Sequence, residues 1–418
     1  MADTRVLAYC GFPCALPVNA LRSTECKERS LKMPRHWRFP LNLHVISLLV
    51  VLALLLAACG GTAASPVPTS AVQNGSTPGD ANAAQPVAEG PSDKDGSLVL
   101  LEWSGFELPE FHEPFTAQYP KVQPEYSIFA EDAEAFTKLQ SGFEVDLVHP
   151  CNGWWGLYVE QGVVQPIDTS KLANWKGVDP KLAAMGQFNG KQYFVPWDWG
   201  YESILVRTDK VKTVPQSWAD LANPEYAGHL ALWDSGESNQ IIAALALGFD
   251  PWNTTPEQDE QIKQWLIDLK PNLLTYWVDF SELSQSMASG DVWVAANVWA
   301  DTYRSLLEQG VPVQYVEPKE GKLGFVCGFG ISSNVKDLEL AYAYIDAALA
   351  PESMAAFSNL YGYGSSNRDA LPLIDPKVVQ LFQLDDPTAL EKTVFYRPLT
   401  AEQRERFTSM WNEVKAAP

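Results

Sequence analysis

The sequence predicts an α/β protein folded in two lobes. From Ser97 onward, short apolar runs alternate with helical patterns. The part able to fold, about 320 residues, is larger than one hydrophobic core usually serves. The N-terminus adds that this folded part is carried out of the cytoplasm.

Residues 97–103 (SLVLLEW) read as the first strand. Residues 109–119 place Phe111, Phe115 and Tyr119 four apart, on one helix face. A strand follows at 122–129, then a short helix at 132–139 with Asp132 as its cap. A strand at 145–149 and a helix at 154–161, ending at Gly162, complete the first units. This order implies a largely parallel sheet with helices on its faces. Further strands are expected at 193–196, 203–207, 229–233, 292–299, 313–316 and 328–331. Helices are expected at 218–221, from about Ser238, and at 256–269, 280–288, 338–349 and 351–360. No internal repeat is found.

Residues 45–58 (VISLLVVLALLLAA) carry no charge. They are too few to span a bilayer, which takes roughly 20 apolar residues, and they fit the apolar core of a secretory signal peptide. Arg35 and Arg38 lie just upstream, and the run ends in Leu56-Ala57-Ala58-Cys59, the cleavage pattern of a bacterial lipoprotein. Residues 1–58 are therefore expected to be a leader and signal peptide, with Met33 the true start. Cys59 is expected to carry lipid, and residues 59–97, rich in Gly, Ala, Ser, Thr and Pro, to form a flexible tether. The expected location is the outer face of the cytoplasmic membrane, periplasmic or extracellular.

The net charge is −21, and it becomes more negative once the leader is removed, because residues 1–58 hold seven Lys/Arg against three Asp/Glu. That argues against nucleic acid as a partner and mildly favours cationic ligands. After Cys59 only Cys151 and Cys327 remain, with no metal-type spacing. They form one disulfide in an oxidising compartment or stay as two small buried hydrophobes.

In open α/β sheets, ligands bind beyond the carboxyl ends of strands. Six such junctions share one chemistry: Trp103 with Glu107, Cys151 to Trp155, Trp197-Asp198-Trp199, Trp233-Asp234, Trp299-Ala300-Asp301, and Phe325 to Cys327. Enzyme signatures are missing. His112, His149 and His229 have no metal-ligand spacing, and there is no nucleophile elbow. Paired acids such as Asp198 with Glu202, or Asp234 with Glu237, leave a glycosidase or sugar receptor as a rival reading.

Several stretches resemble the spermidine/putrescine-binding family of ABC-transporter receptors. LEWSGFE at 101–107 is similar to its first strand and aromatic-acidic loop, and DLVHP at 146–150 to its "DLVxP" strand end. IDTSKL at 167–172 is similar to "IDKSKL", and YFVPWDWG at 193–200 to "YSIPYxWG". SWADL at 217–221 with NPEYAG at 223–228 resembles "SWADLWxPEYKG", and Gly362, Tyr363 and Asn367 resemble a "GYxxxN" loop.

The resemblance implies a two-lobed, type II periplasmic-binding-protein-like fold. Each lobe would be a mixed sheet flanked by helices, and a two-stranded hinge would join them. Lobe one would be 98–203 plus 324–372, and lobe two 204–323 plus 373–418. It implies a monomer without cofactor or metal that hands a small cation to an integral-membrane permease. Trp103, Trp299 and Tyr363 would be aromatic walls, with Trp154, Trp197 and Trp199 as further candidates. Glu107, Asp234 and Glu237 would accept amines, with Asp198 and Asp301 behind them. Cys151 and Cys327 map beside the cleft, where a bridge would stiffen its rim. The acids that the family carries after the strand ending at Trp233 align here on Ser235 and Ser238. A quaternary amine, a sugar or an oligosaccharide therefore stays open as ligand.

Overall fold

The computed structural model describes residues 91–418; the leader, Met33, Cys59 and the linker up to residue 90 lie outside the described residues. The fold opens with β1 (Ser97–Trp103), α1 (Glu113–Gln118), β2 (Gln123–Phe129), α2 (Asp132–Gln140), β3 (Leu147–Val148) and α3 (Asn152–Glu160). β1 lies parallel to both β2 and β3. Leu98, Leu100 and Leu101 of β1 are all buried, as a strand covered on both faces requires. β4 (Val164–Gln165), α4 (Pro180–Met185) and a small hairpin, β5 (Gln187–Phe188) and β6 (Lys191–Gln192), lead to β7 (Phe194–Arg207).

The second half holds β8 (Leu230–Trp233), α5 (Gly236–Ala246), α6 (Pro256–Asp268), β9 (Leu273–Trp277), α7 (Phe280–Ser289), β10 (Val294–Trp299), α8 (Ala300–Glu308) and β11 (Val313–Tyr315). The chain then returns through β12 (Leu323–Ser332) to α9 (Leu338–Ala348), α10 (Pro351–Tyr361), β13 (Gly364–Ser365), α11 (Pro376–Phe382) and α12 (Ala389–Lys392). It ends with β14 (Val394–Phe395) and α13 (Ala401–Ala416). Local signals set several ends. The side chain of Ser235 caps α5, Thr255 and Gln258 form a capping box on α6, and Thr400 and Gln403 do the same for α13.

The main sheet runs β2-β1-β3-β12-β7-β10-β8-β9. At one end β1, β2 and β3 are parallel, and at the other β8, β9 and β10 are parallel. Antiparallel β7 and β12 join the two groups. This is the two-lobed mixed α/β fold with a two-stranded hinge that the sequence implied.

The structure corrects the expected elements in three places. The strands expected at 193–196 and 203–207 are one strand, β7, and every one of its 14 residues is buried. Pro196, Asp198 and Gly200 read as loop signals, but cover on both faces outweighs them: Trp197 enters one core cluster and Trp199 another. β12 likewise starts at Leu323, so Phe325 to Cys327 lies within a strand. Asp132 does not cap its own helix; its carboxylate accepts the Cys151 N–H at 3.0 Å, at the start of α3. Ile374, Val378 and Phe382 pack in one core cluster with Phe357 and Tyr363.

Candidate functional site

The join between the halves is built on β7. Opposite the Cys327–Gly328 step β7 carries one extra residue, Trp197, a bulge. Beyond it Asp198, Gly200 and Glu202 alternate onto one face. Asp198 lies in register with Cys327 of β12 and Ser365 of β13, and Glu202 with Trp299 of β10. Gly200 is needed here, because a Cβ would come within 2.5 Å of the Phe325 ring. Cys151 and Cys327 form a disulfide with Cα atoms 3.9 Å apart, fixing the start of α3 to β12 beside Asp198.

Asp198 closes a buried row of charges. Glu102 of β1 meets His149 Nδ1 at 2.6 Å, and His149 Nε2 lies 3.6 Å from Asp198. All three side chains are at most 1% exposed. Burial alone would push His149 down, but Glu102 and Asp198 together outweigh it and lift the imidazole to about 9. Two acids therefore flank His149 and favour its charged form. Burial pushes Asp198 up, and neither of its oxygens has a hydrogen-bond partner among the described residues.

Glu202 lies on the same strand face. Burial lifts it to about 8, opposed by the Tyr396 hydroxyl, which donates at 2.8 Å, and by the Trp299 side chain. The Trp299 ring sits 5.1 Å from Trp233 and 5.5 Å from Trp277. Asp301, in the first turn of α8, is also pushed up by burial, while the Thr302 N–H donates to it at 2.6 Å. Tyr363 feels the charge of all three acids. Burial first, then the charges of Asp301, Asp198 and Glu202, keep its hydroxyl protonated. From outside, a groove of about 630 Å³ between α7, α8 and the end of α10 reaches Asp301 and Tyr361.

The remaining predicted residues sit elsewhere. Trp103 donates its indole N–H to the His149 carbonyl and packs on Phe129, in a different cluster from Tyr363 and Trp299. Glu107 accepts the Gly105 N–H at 2.6 Å, closing its own loop. Trp197 is a core residue whose indole donates to the Ala348 carbonyl, and Trp199 donates to the Ser365 carbonyl on the other face of β7. Asp234 is held by Trp411 and Lys415, at 2.6 and 2.8 Å. Glu237 is paired with Arg404 at 3.3 Å, and Trp154 carries that guanidinium over its ring at 3.7 Å.

Sequence reasoning missed Glu102, Tyr396 and Arg404, and gave His149 only a packing or hydrogen-bonding part. Glu102 and His149 sit inside stretches quoted above, but only the fold brings them together. Tyr396 and Arg404 lie in the C-terminal return, outside the stretches quoted above.

A hinged pair of α/β lobes, with buried acids and aromatic rings where they join, defines a receptor for a small solute. Residues 110–386 match the model of the bacterial extracellular solute-binding protein family, and the chain belongs to that family. It is therefore a solute-binding receptor and not an enzyme. It is 29% identical over 291 residues to the spermidine/putrescine-binding periplasmic protein of Salmonella typhimurium, covering 69% of this chain and 82% of that one. It is 27% identical over 343 residues to a putrescine-binding periplasmic protein of Escherichia coli, covering 77% and 91%. Its fold is similar to a spermidine/putrescine ABC transporter substrate-binding protein from Streptococcus pneumoniae. The TM-score is 0.67 at 22% identity, covering 76% of this chain and 98% of that one. A Treponema pallidum lipoprotein gives the same TM-score at 24% identity, covering 76% and 99%.

Proposed function

We propose that this protein is the lipid-anchored, monomeric substrate-binding component of an ABC uptake transporter, capturing a small cationic amine by closure of its two lobes. Asp198 carries the reading. A buried carboxylate without a partner is costly unless something charged or hydrogen-bonding meets it. Neither Asp198 oxygen has a hydrogen-bond partner among the described residues, Glu202 lies in register with Trp299, and the charges of Asp301, Asp198 and Glu202 all act on Tyr363. An ammonium group would add the hydrogen bonds to Asp198 that His149, 3.6 Å away, does not make. It gains about 0.5–2 kcal/mol over an aromatic face and about 1.5–3 kcal/mol from each hydrogen bond to a carboxylate. The relatives' names put putrescine and spermidine first among candidates. Cys59 would carry the lipid that keeps the receptor beside its permease.

A thermal-shift screen with putrescine, spermidine, choline, betaine and oligosaccharides tests this. A bound ligand at a hundredfold excess over Kd adds about 2.7 kcal/mol of apparent stability. An amine should raise the melting temperature and oligosaccharides should not. A shift with oligosaccharides alone would replace the amine reading with a sugar receptor.

A further inference from the structure

The acids along the join do not all lack a counter-charge. Asp198, Glu202 and Asp301, whose charges all act on Tyr363, have no Lys or Arg partner among the described residues. The row continues through Tyr396, whose hydroxyl bonds both Glu202 and, at 2.6 Å, Ser238. The residue before Ser238 is Glu237, and there a cation is already in place. The Arg404 guanidinium lies 3.7 Å over the Trp154 ring, meets Glu237 at 3.3 Å and donates to the Gly153 carbonyl, with the Asp132 charge close by. Aromatic face, carboxylate and carbonyl are the chemistry that would hold a ligand's cationic end.

Both sides of this contact are firmly mounted. α13 carries Arg404 in its first turn and buries Phe407, Met410, Trp411 and Val414. α3 carries Trp154 and buries Trp155 and Tyr158. Glu237 lies against α3, its Oε1 at contact distance, 3.4 Å, from where a Cβ on Gly153 would stand. Oε1 and Arg404 Nε have no hydrogen-bond partners, so the pairing leaves a donor and an acceptor unused.

We infer that Arg404 sets the length of ligand the receptor accepts, by filling the Glu237–Trp154 end of the acidic row from within the chain. Only the Asp198–Glu202–Asp301 end is then open to a ligand's cations. Such a site takes a short amine, with one or two charges, in preference to a longer polyamine with three. This rests on the amine-receptor reading given above.

The test is the ratio of putrescine to spermidine affinity, by calorimetry, in wild type, Arg404→Ala, Arg404→Met and Arg404→Lys. Wild type should prefer putrescine at least tenfold. Arg404→Ala frees the far end and should move the ratio at least tenfold toward spermidine. Arg404→Lys keeps a cation there and should stay near wild type. Arg404→Met keeps the apolar stem on Trp154 and should lose the preference too, and it serves if the alanine variant fails to fold by circular dichroism. A ratio that no folded variant moves overturns the inference while leaving the receptor reading intact. A wild type that binds neither putrescine nor spermidine overturns the inference, and one that binds no amine in the thermal-shift screen takes the receptor reading down as well.

Discussion

The two ends of the acidic row differ in one respect. At the Glu237 end the protein supplies its own cation, and Arg404 leaves little for a ligand to add. At the Asp198 end the nearest positive charge is His149, 3.6 Å away and already bound to Glu102 at 2.6 Å. Acids and aromatic rings alone therefore do not mark a binding site, because both ends have them. On the reading proposed above, a carboxylate with no Lys or Arg of the chain against it does. The Cys151–Cys327 disulfide lies between the ends: Cys327 pairs in register with Asp198, and the Cys151 N–H is bound by Asp132, which lies near Arg404.

The most direct way to break this contrast is Asp198→Asn. Losing one partner of a buried charge pair costs about 2–5 kcal/mol of binding, so amine affinity by calorimetry should fall at least about 30-fold. The ligand-free variant should also melt lower than wild type, because buried His149 then keeps only Glu102 as a charged partner. Retained affinity would remove Asp198 from the site. Replacing Cys151 and Cys327 together by serine opens a link spanning 176 residues. It should cost about 2–4 kcal/mol in denaturant unfolding, and unchanged stability would mean that the bridge does not form in solution.

pH sharpens the same contrast. Glu202 is lifted to about 8 and His149 to about 9. Each folded value lies above the unfolded one, so each group's stability contribution is full at low pH and is lost as pH rises through the folded value. The ligand-free melting temperature should therefore fall as pH rises from 6 through 9. Amine affinity should move the other way between pH 6.5 and 8.5, since ionised Glu202 holds a cation better. Affinity that is flat with pH would exclude Glu202 from the ligand.

Much of the fold was legible because it rests on local periodicity. The first parallel strands, their helices and the strands at 230–233 and 294–299 follow from apolar runs with clear ends. β7 was misread where long-range cover overrode Pro196 and Gly200. The site was legible by residue type and not by partner. Asp198, Trp299, Asp301 and Tyr363 announce themselves beside motifs. Whether a carboxylate is free depends on side chains far along the chain: Arg404 lies 167 residues from Glu237, and Lys415 181 from Asp234. No spacing rule reaches that far.

Asp234 is the smallest and cleanest control. The sequence marks it as strongly as Asp198, since both follow a tryptophan and both suit an amine. In the fold it accepts the Trp411 indole N–H and pairs with Lys415, both on α13 of its own lobe, and the Lys415 side chain is 35% exposed. An ion pair of that exposure contributes about 0–1 kcal/mol, and the indole hydrogen bond about as much again. Asp234→Asn should therefore lower stability by no more than about 2 kcal/mol and leave amine affinity within about twofold of wild type. If the variant instead loses binding as Asp198→Asn does, a carboxylate already matched by the chain's own cation is part of the ligand site. The distinction between answered and unanswered charges would then fail.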